Sequence, residues 1–127
     1  MNTHSQKIYD TIVVGAGISG LSAAYHLKKF SPQAEFLVLE GRDNFGGTWD
    51  FFKYPGIRSD SDMHTLGFSF KPWNSRKFIA DGPAIMNYLD ETIEENNLKD
   101  LIKFNMHIES ASWNSEDSLW ELSINNK

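Results

Sequence analysis

Apolar residues change their spacing several times along the chain, and each change marks an element. Residues 8–14, IYDTIVV, form a β-branched run that stops at Gly15, which predicts a strand buried on both faces. From Ile18 the spacing shifts to Ile18, Leu21, Ala24 and Leu27, one face of a helix that Ser31-Pro32 ends. The next run, EFLVLE, predicts a second strand closing at Glu40. Strand, helix and strand over this length form a crossover unit, whose strands pair in parallel. Residues 41–80 carry no clean period and are rich in Gly, Ser, Asp and aromatics; a loop this long is either functional or a misread element, and part of it is expected to form short helices. Order returns at Asp81-Gly82-Pro83, where a first-turn proline precedes Ile85, Leu89 and Ile93 at helical spacing. Beyond that helix Phe104, Met106 and Ile108 alternate with polar residues, as do Trp120, Leu122 and Ile124, with NSEDS between them. That pattern predicts a β-hairpin, and the fold class is α/β.

The junction between the first strand and the first helix carries the chemistry. Gly15-Ala16-Gly17-Ile18-Ser19-Gly20 matches G-x-G-x-x-G, and Glu40 stands at the end of the next strand, where an acidic residue is expected. In such a loop Gly15 makes the tight turn, Gly17 lets a pyrophosphate approach the backbone, and Gly20 lets helix and strand pack closely. The helix start offers unpaired N–H groups and a positive dipole end to phosphates, while Glu40 would accept hydrogen bonds from ribose hydroxyls. This predicts a Rossmann-like dinucleotide site. The fingerprint serves NAD and FAD alike, and the carboxylate at Glu40 argues against the 2′-phosphate of NADP at this first site.

Gly46-Gly47 follows the ribose carboxylate by a few residues, so backbone bare of side chains lies where a flat ring or a pyrophosphate would meet it. Trp49, Phe51, Phe52 and Tyr54 add apolar surface that would exclude water from a cofactor; for Phe51 and Phe52 an ordinary core role has equal weight. Pro55-Gly56 is a turn. Asp60 and Asp62 lack the third acidic ligand, central glycine and closing Glu of an EF-hand, and Asp62 reads as a helix cap or a solvated carboxylate.

Composition narrows the function classes. The chain has 127 residues, room for one domain, with 17 Asp and Glu against 12 scattered Lys and Arg, which argues against nucleic acid. With no cysteine there is no disulfide, thiolate catalyst or Cys-ligated zinc, and His4, His26, His64 and His107 stand too far apart to propose a metal site. Glu91, Glu94 and Glu95 read as a solvated helix face, and Trp73, Trp113 and Trp120 as core or hairpin packing. The start has no apolar leader segment and no apolar run is long enough to cross a bilayer, so a soluble, cytoplasmic protein is expected.

VVGAGISGLSAAYHL, then GGTWDFFKYPGIRSDSDMHTLGFSFKPW, resembles the N-terminus of the flavin-dependent Baeyer–Villiger monooxygenases, and within them the ethionamide-activating branch. The likeness runs through FIADGPAIMNYL to the hairpin. The glycine loop is shared by many flavoproteins, whereas GGTW followed by Y-P-G-x-R-S-D-S-D is far more restrictive. The resemblance implies an enzyme that uses FAD, NADPH and O₂ to insert oxygen beside a ketone carbonyl or to oxidise a soft sulfur or nitrogen. Its substrate would be a small apolar ketone, sulfide or thioamide-like compound.

Carried over by motif, Gly15, Gly17, Ser19 and Gly20 would hold the FAD pyrophosphate and Glu40 the adenosine ribose. Gly46, Gly47, Thr48, Trp49, Asp50 and Phe51 would line the middle of FAD. Asp60 would sit beside the flavin where the nicotinamide docks, orienting a cationic partner, with Arg58 and Ser59 near the NADPH and Ile108 at the adenine through its backbone. The family also needs a second glycine-rich unit for NADPH, a linker motif with a functional histidine, a catalytic arginine and a closing FAD segment, none of which these residues contain. The expectation is therefore residues 1–127 as the N-terminal part of a FAD-binding domain, incomplete at its C-terminal side, inactive alone and poorly soluble. Two other readings stay open: a truncated, non-catalytic FAD-binding or interaction module, and the start of an NAD-dependent dehydrogenase.

Overall fold

The computed structural model of the chain describes residues 7–126. Strand β1 (Thr11–Val14) leads into helix α1 (Ile18–Phe30), and the chain returns as β2 (Phe36–Leu39). β1 and β2 pair in parallel, Thr11 opposite Phe36 through Val14 opposite Leu39, which is the crossover expected from the spacing. Two short helices follow, α2 (Thr48–Phe51) and α3 (Met63–Leu66), and then the long helix α4 (Gly82–Glu95). After a single 3₁₀ turn, β3 (Ile102–Lys103) pairs in parallel with β2, so the sheet order is β1-β2-β3. An antiparallel hairpin of β4 (Met106–Asn114) and β5 (Leu119–Asn126) completes the described residues.

Local chemistry sets the element ends. α1 keeps Lys28 and Lys29 in its last turn, where positive charge meets the negative end of the helix dipole. α4 starts at Asp81, whose carboxylate accepts from the Ala84 amide at 2.8 Å, and Pro83 occupies the first turn where no amide is needed. Asp62 caps α3 in the same way, accepting from the Thr65 amide at 3.0 Å, as its sequence position suggested. One buried cluster joins the layers: Leu21 and Ala24 of α1, Val38 of β2, Met63 of α3, Ile85 and Leu89 of α4, and Ile102 of β3.

Two expectations change. The first strand is shorter than residues 8–14 and is not buried on both faces: Thr11, Ile12 and Val13 are half-buried and Val14, 66% exposed, lines a cleft, while β1 is one of the two edge strands of the described sheet. Phe104 lies outside the hairpin and packs on the core, because Asn105 takes a left-handed φ of 57° and turns the chain before β4 begins. Trp113 and Trp120 pack on each other across the hairpin, ring centres 5.6 Å apart and 52% and 63% exposed, the hairpin alternative of the sequence reading.

Candidate functional site

Two glycine loops face one another at the C-terminal ends of β1 and β2. The first, Gly15 to Gly20, turns from β1 into α1, with Gly15 at φ +100° and its amide donating to the Leu39 carbonyl at 2.9 Å. The second, Gly46-Gly47, takes φ values of +111° and +54° and opens α2. The Gly46 amide donates to the Ala16 carbonyl at 2.8 Å, tying the loops together. A Cβ on Gly20 would lie 1.9 Å from the Gly15 oxygen, a backbone atom that cannot move aside, while at Gly46 a side chain would be strained by the φ of +111° even though the nearest atom, the Met86 sulfur of α4 at 2.4 Å, belongs to a flexible side chain.

Between the loops lies a cleft of about 280 Å³, lined among others by Gly15, Gly17, Ser19, Gly47, Thr48 and Trp49. The first backbone bond of α1 is donated by Leu21 to the Gly17 carbonyl, so the amides of Ile18, Ser19 and Gly20 are left as the orphan donors of the helix start. No side chain caps them, which leaves the positive end of a 13-residue helix facing the cleft. A pyrophosphate fits this chemistry. Just below the roughly 300–1,000 Å³ typical of ligand pockets, the cleft suits the phosphate-bearing middle of a dinucleotide and leaves its rings to lie beyond it.

Glu40 stands behind the first loop, 8% exposed. Its Oε1 accepts from the Ala16 amide at 2.8 Å and its Oε2 from the Arg42 amide at 2.9 Å. The carboxylate thus braces the loop, and each oxygen keeps a second lone pair for a hydroxyl. The Met106 amide donates to the Glu40 carbonyl, which sets the start of β4 beside it; in that strand Ile108 is half-buried opposite Ile124 and does not line the cleft.

Sequence-predicted residues divide into those lining the cleft and those apart from it. Gly15, Gly17, Ser19, Gly20, Gly46, Gly47, Thr48 and Trp49 line it together. Asp50 is 4% exposed with its carboxylate turned inward, paired with Arg42 at 3.0 Å and accepting from Asn44 Nδ2 at 2.9 Å. Phe51 is 63% exposed, with the Arg42 guanidinium 5.1 Å from its ring centre; Phe52 and Tyr54 are exposed too, so neither of the two phenylalanines is core. Arg58 and Asp60 are exposed and do not line the cleft, and Arg58 bridges to Asp81 through backbone. Ser59 is 2% exposed; its amide donates to the Ala80 carbonyl and its hydroxyl oxygen accepts from the Ala80 amide. Through these bonds Ser59 ties the Arg58–Asp60 segment to the residue before the α4 cap Asp81.

Sequence reasoning missed Arg42, Asn44 and Met86. A signal existed for the first two, since an aspartate flanked by Trp49 and Phe51 in a glycine-led helix needs buried partners. Among the described residues there is no cluster of three metal-ligating side chains, and no helix is long and apolar enough to cross a membrane.

Residues 13–92 match the family described as NAD(P)-binding Rossmann-like domain. The chain is 52% identical over 116 residues to the FAD-containing monooxygenase EthA of Mycolicibacterium smegmatis, an alignment covering 91% of this chain and 24% of that protein. It is also 52% identical over 124 residues to the probable FAD-binding monooxygenase AlmA of an Acinetobacter species, covering 96% and 25% respectively. A solved steroid monooxygenase bound to NADP superposes with a TM-score of 0.82 at 32% identity, over 90% of this chain and 22% of that one. The chain spans about a quarter of the length of the curated relatives it matches.

Proposed function

The chain belongs to the NAD(P)-binding Rossmann-like domain family, and from that premise we propose that it forms the FAD-binding N-terminal part of an NADPH-dependent monooxygenase of the Baeyer–Villiger type. The observation that carries this reading is the cleft itself: two glycine-rich loops in contact, an uncapped helix start between them, and a buried carboxylate behind. The sequence identity to two monooxygenases named for FAD supports flavin over nicotinamide at this site. FAD, when bound, would carry two electrons from NADPH to O₂.

The residues present fit the group. The amides of Ile18, Ser19 and Gly20 would bind pyrophosphate oxygens, and the exposed Ser19 hydroxyl would add a donor. Glu40 would hold a ribose hydroxyl on the lone pairs its amides leave, while Thr48 and Trp49 would wall the cleft. In the same reading Asp60 and Arg58 face the nicotinamide, and Ile108 meets the adenine through backbone. NADPH would be held chiefly by residues outside this segment. The proposed substrate class is a small apolar ketone, sulfide or thioamide-like compound; the steroid monooxygenase and a solved cyclohexanone monooxygenase are structural neighbours at 32% and 28% identity.

The test is an absorption spectrum of the purified chain after incubation with FAD and removal of free cofactor, beside Gly17→Asp and beside a parallel NAD incubation. Retained flavin that the variant loses supports the proposal. Retention of NAD without flavin would replace it with the dehydrogenase reading, and a colourless protein would show that this segment alone does not hold FAD.

A further inference from the structure

Asp50 is a buried carboxylate on a four-residue helix, next to the cleft but closed off from it. Burial of a charge is costly without partners, and Asp50 has three: Arg42 Nη2 at 3.0 Å, Asn44 Nδ2 at 2.9 Å and Lys53 Nζ at 3.5 Å. The Lys53 contact is mostly solvated, with that side chain 74% exposed, so Arg42 and Asn44 carry the compensation.

Arg42 also reaches the second loop. Its Nη1 lies 3.4 Å from the Gly47 carbonyl oxygen, and its own amide donates to Glu40 Oε2. Glu40 Oε1 accepts from the Ala16 amide, and the Ala16 carbonyl accepts from the Gly46 amide. These bonds close a ring: Ala16, Glu40, Arg42, Gly47 through Gly46, and Ala16 again. Both glycines of the second loop sit at positive φ, and glycine reaches many other conformations at little cost, so the loop needs ties from outside itself.

We infer that Asp50 and Arg42 form a brace that positions the Gly46-Gly47 loop against the first glycine loop, so that Asp50 acts on the cofactor through Arg42 and not by touching it. This rests on the proposal that the cleft takes FAD. Asp50 and Arg42 are positioning residues, and their effect reaches the ribose end of the site through Glu40 as well as the phosphate end through Gly47.

Two measurements on the whole chain test this, and the first needs no cofactor. Amide hydrogen exchange is compared in the wild type, Asp50→Asn, Arg42→Gln and Arg42→Lys. Loss of one charge-assisted tie is expected to speed exchange at Gly46 about tenfold or more in Asp50→Asn and Arg42→Gln, with Leu89 and Ile93 of α4 unchanged. Arg42→Lys, which keeps the charge but not the fork, should recover part of the protection. Unchanged Gly46 exchange in both loss variants overturns the brace, as does a uniform rise across α4, which would mark general destabilisation.

The second measurement is FAD titration by flavin fluorescence. Each loss variant is expected to weaken binding about tenfold or more, and the double variant Asp50→Asn/Arg42→Gln no further than the worse single. Additive losses would overturn the inference, since they would mean that Asp50 and Arg42 act independently. A wild type that binds no FAD, with Gly46 responding as expected, would show that this segment alone does not hold FAD while supporting the brace on the loop.

Discussion

Two glycines of the first loop differ by what a single methyl group would meet. At Gly20 a Cβ would stand 1.9 Å from the Gly15 oxygen and 2.9 Å from its carbon, both backbone atoms that cannot swing aside. At Gly17, with an ordinary φ of −80°, the nearest atom would be the Gly47 Cα at 3.7 Å, a normal contact. Gly20→Ala is therefore expected to cost about 1–3 kcal/mol or more of folding stability, and Gly17→Ala close to none, read as urea midpoints at constant slope. Equal midpoints for the two would contradict the loop geometry. The glycine fingerprint was legible as spacing, but the reason for Gly20 was not quite the one spacing suggests. Its closest neighbour is the carbonyl of its own loop, with the Val13 side chain of the strand only at 3.7 Å. Arg42 and Asn44 escaped because their partner, Asp50, looked from sequence like a group facing the cofactor.

At the scale of elements, long periodic segments were legible and short ones were not. α1, β2 and α4 fall where the apolar spacing puts them, since several turns or residues repeat one signal. β3 has two residues, too few to show any period, and it exists because Ile102 and Lys103 find Val38 and Leu39 beside them. The caps of α3 and α4 allow separate tests. Asp81→Ala removes an acceptor from the first turn of α4 and should cost about 1 kcal/mol, read from a urea titration. In α3 the Thr65 hydroxyl and then the Thr65 amide hold the Asp62 carboxyl below the usual carboxylate range. A lowered folded pKa means that the carboxylate stabilises the fold above its unfolded value, and that this contribution is lost as pH falls through the folded value. Asn keeps the capping oxygen but not the charge, so Asp62→Asn should lower the urea midpoint at pH 7, and that difference should shrink as pH falls below the usual carboxylate range. A difference independent of pH would assign the effect to shape instead of ionisation.

For the whole molecule, two surfaces compete with charge. β1 lies at the edge of its sheet, and its sequence TIVV has neither the lysine nor the proline that guards such edges. Phe51, Phe52, Tyr54 and Phe78 are each about half exposed or more, adding apolar area of the kind that drives association. Against this stands a formal net charge of −5, which holds copies apart at low ionic strength and is screened within about 10 Å at 0.1 M salt. The isolated chain is therefore expected to self-associate with rising concentration, and more so as salt is added, in sedimentation velocity runs. Phe52→Ser and Val14→Lys separate the two surfaces. Loss of association in Val14→Lys alone assigns it to the strand edge, loss in Phe52→Ser alone to the aromatics, and a chain that stays monomeric across both series would show that the charge outweighs them. The salt dependence decides the balance most directly, because apolar contacts survive screening whereas repulsion between like-charged copies does not.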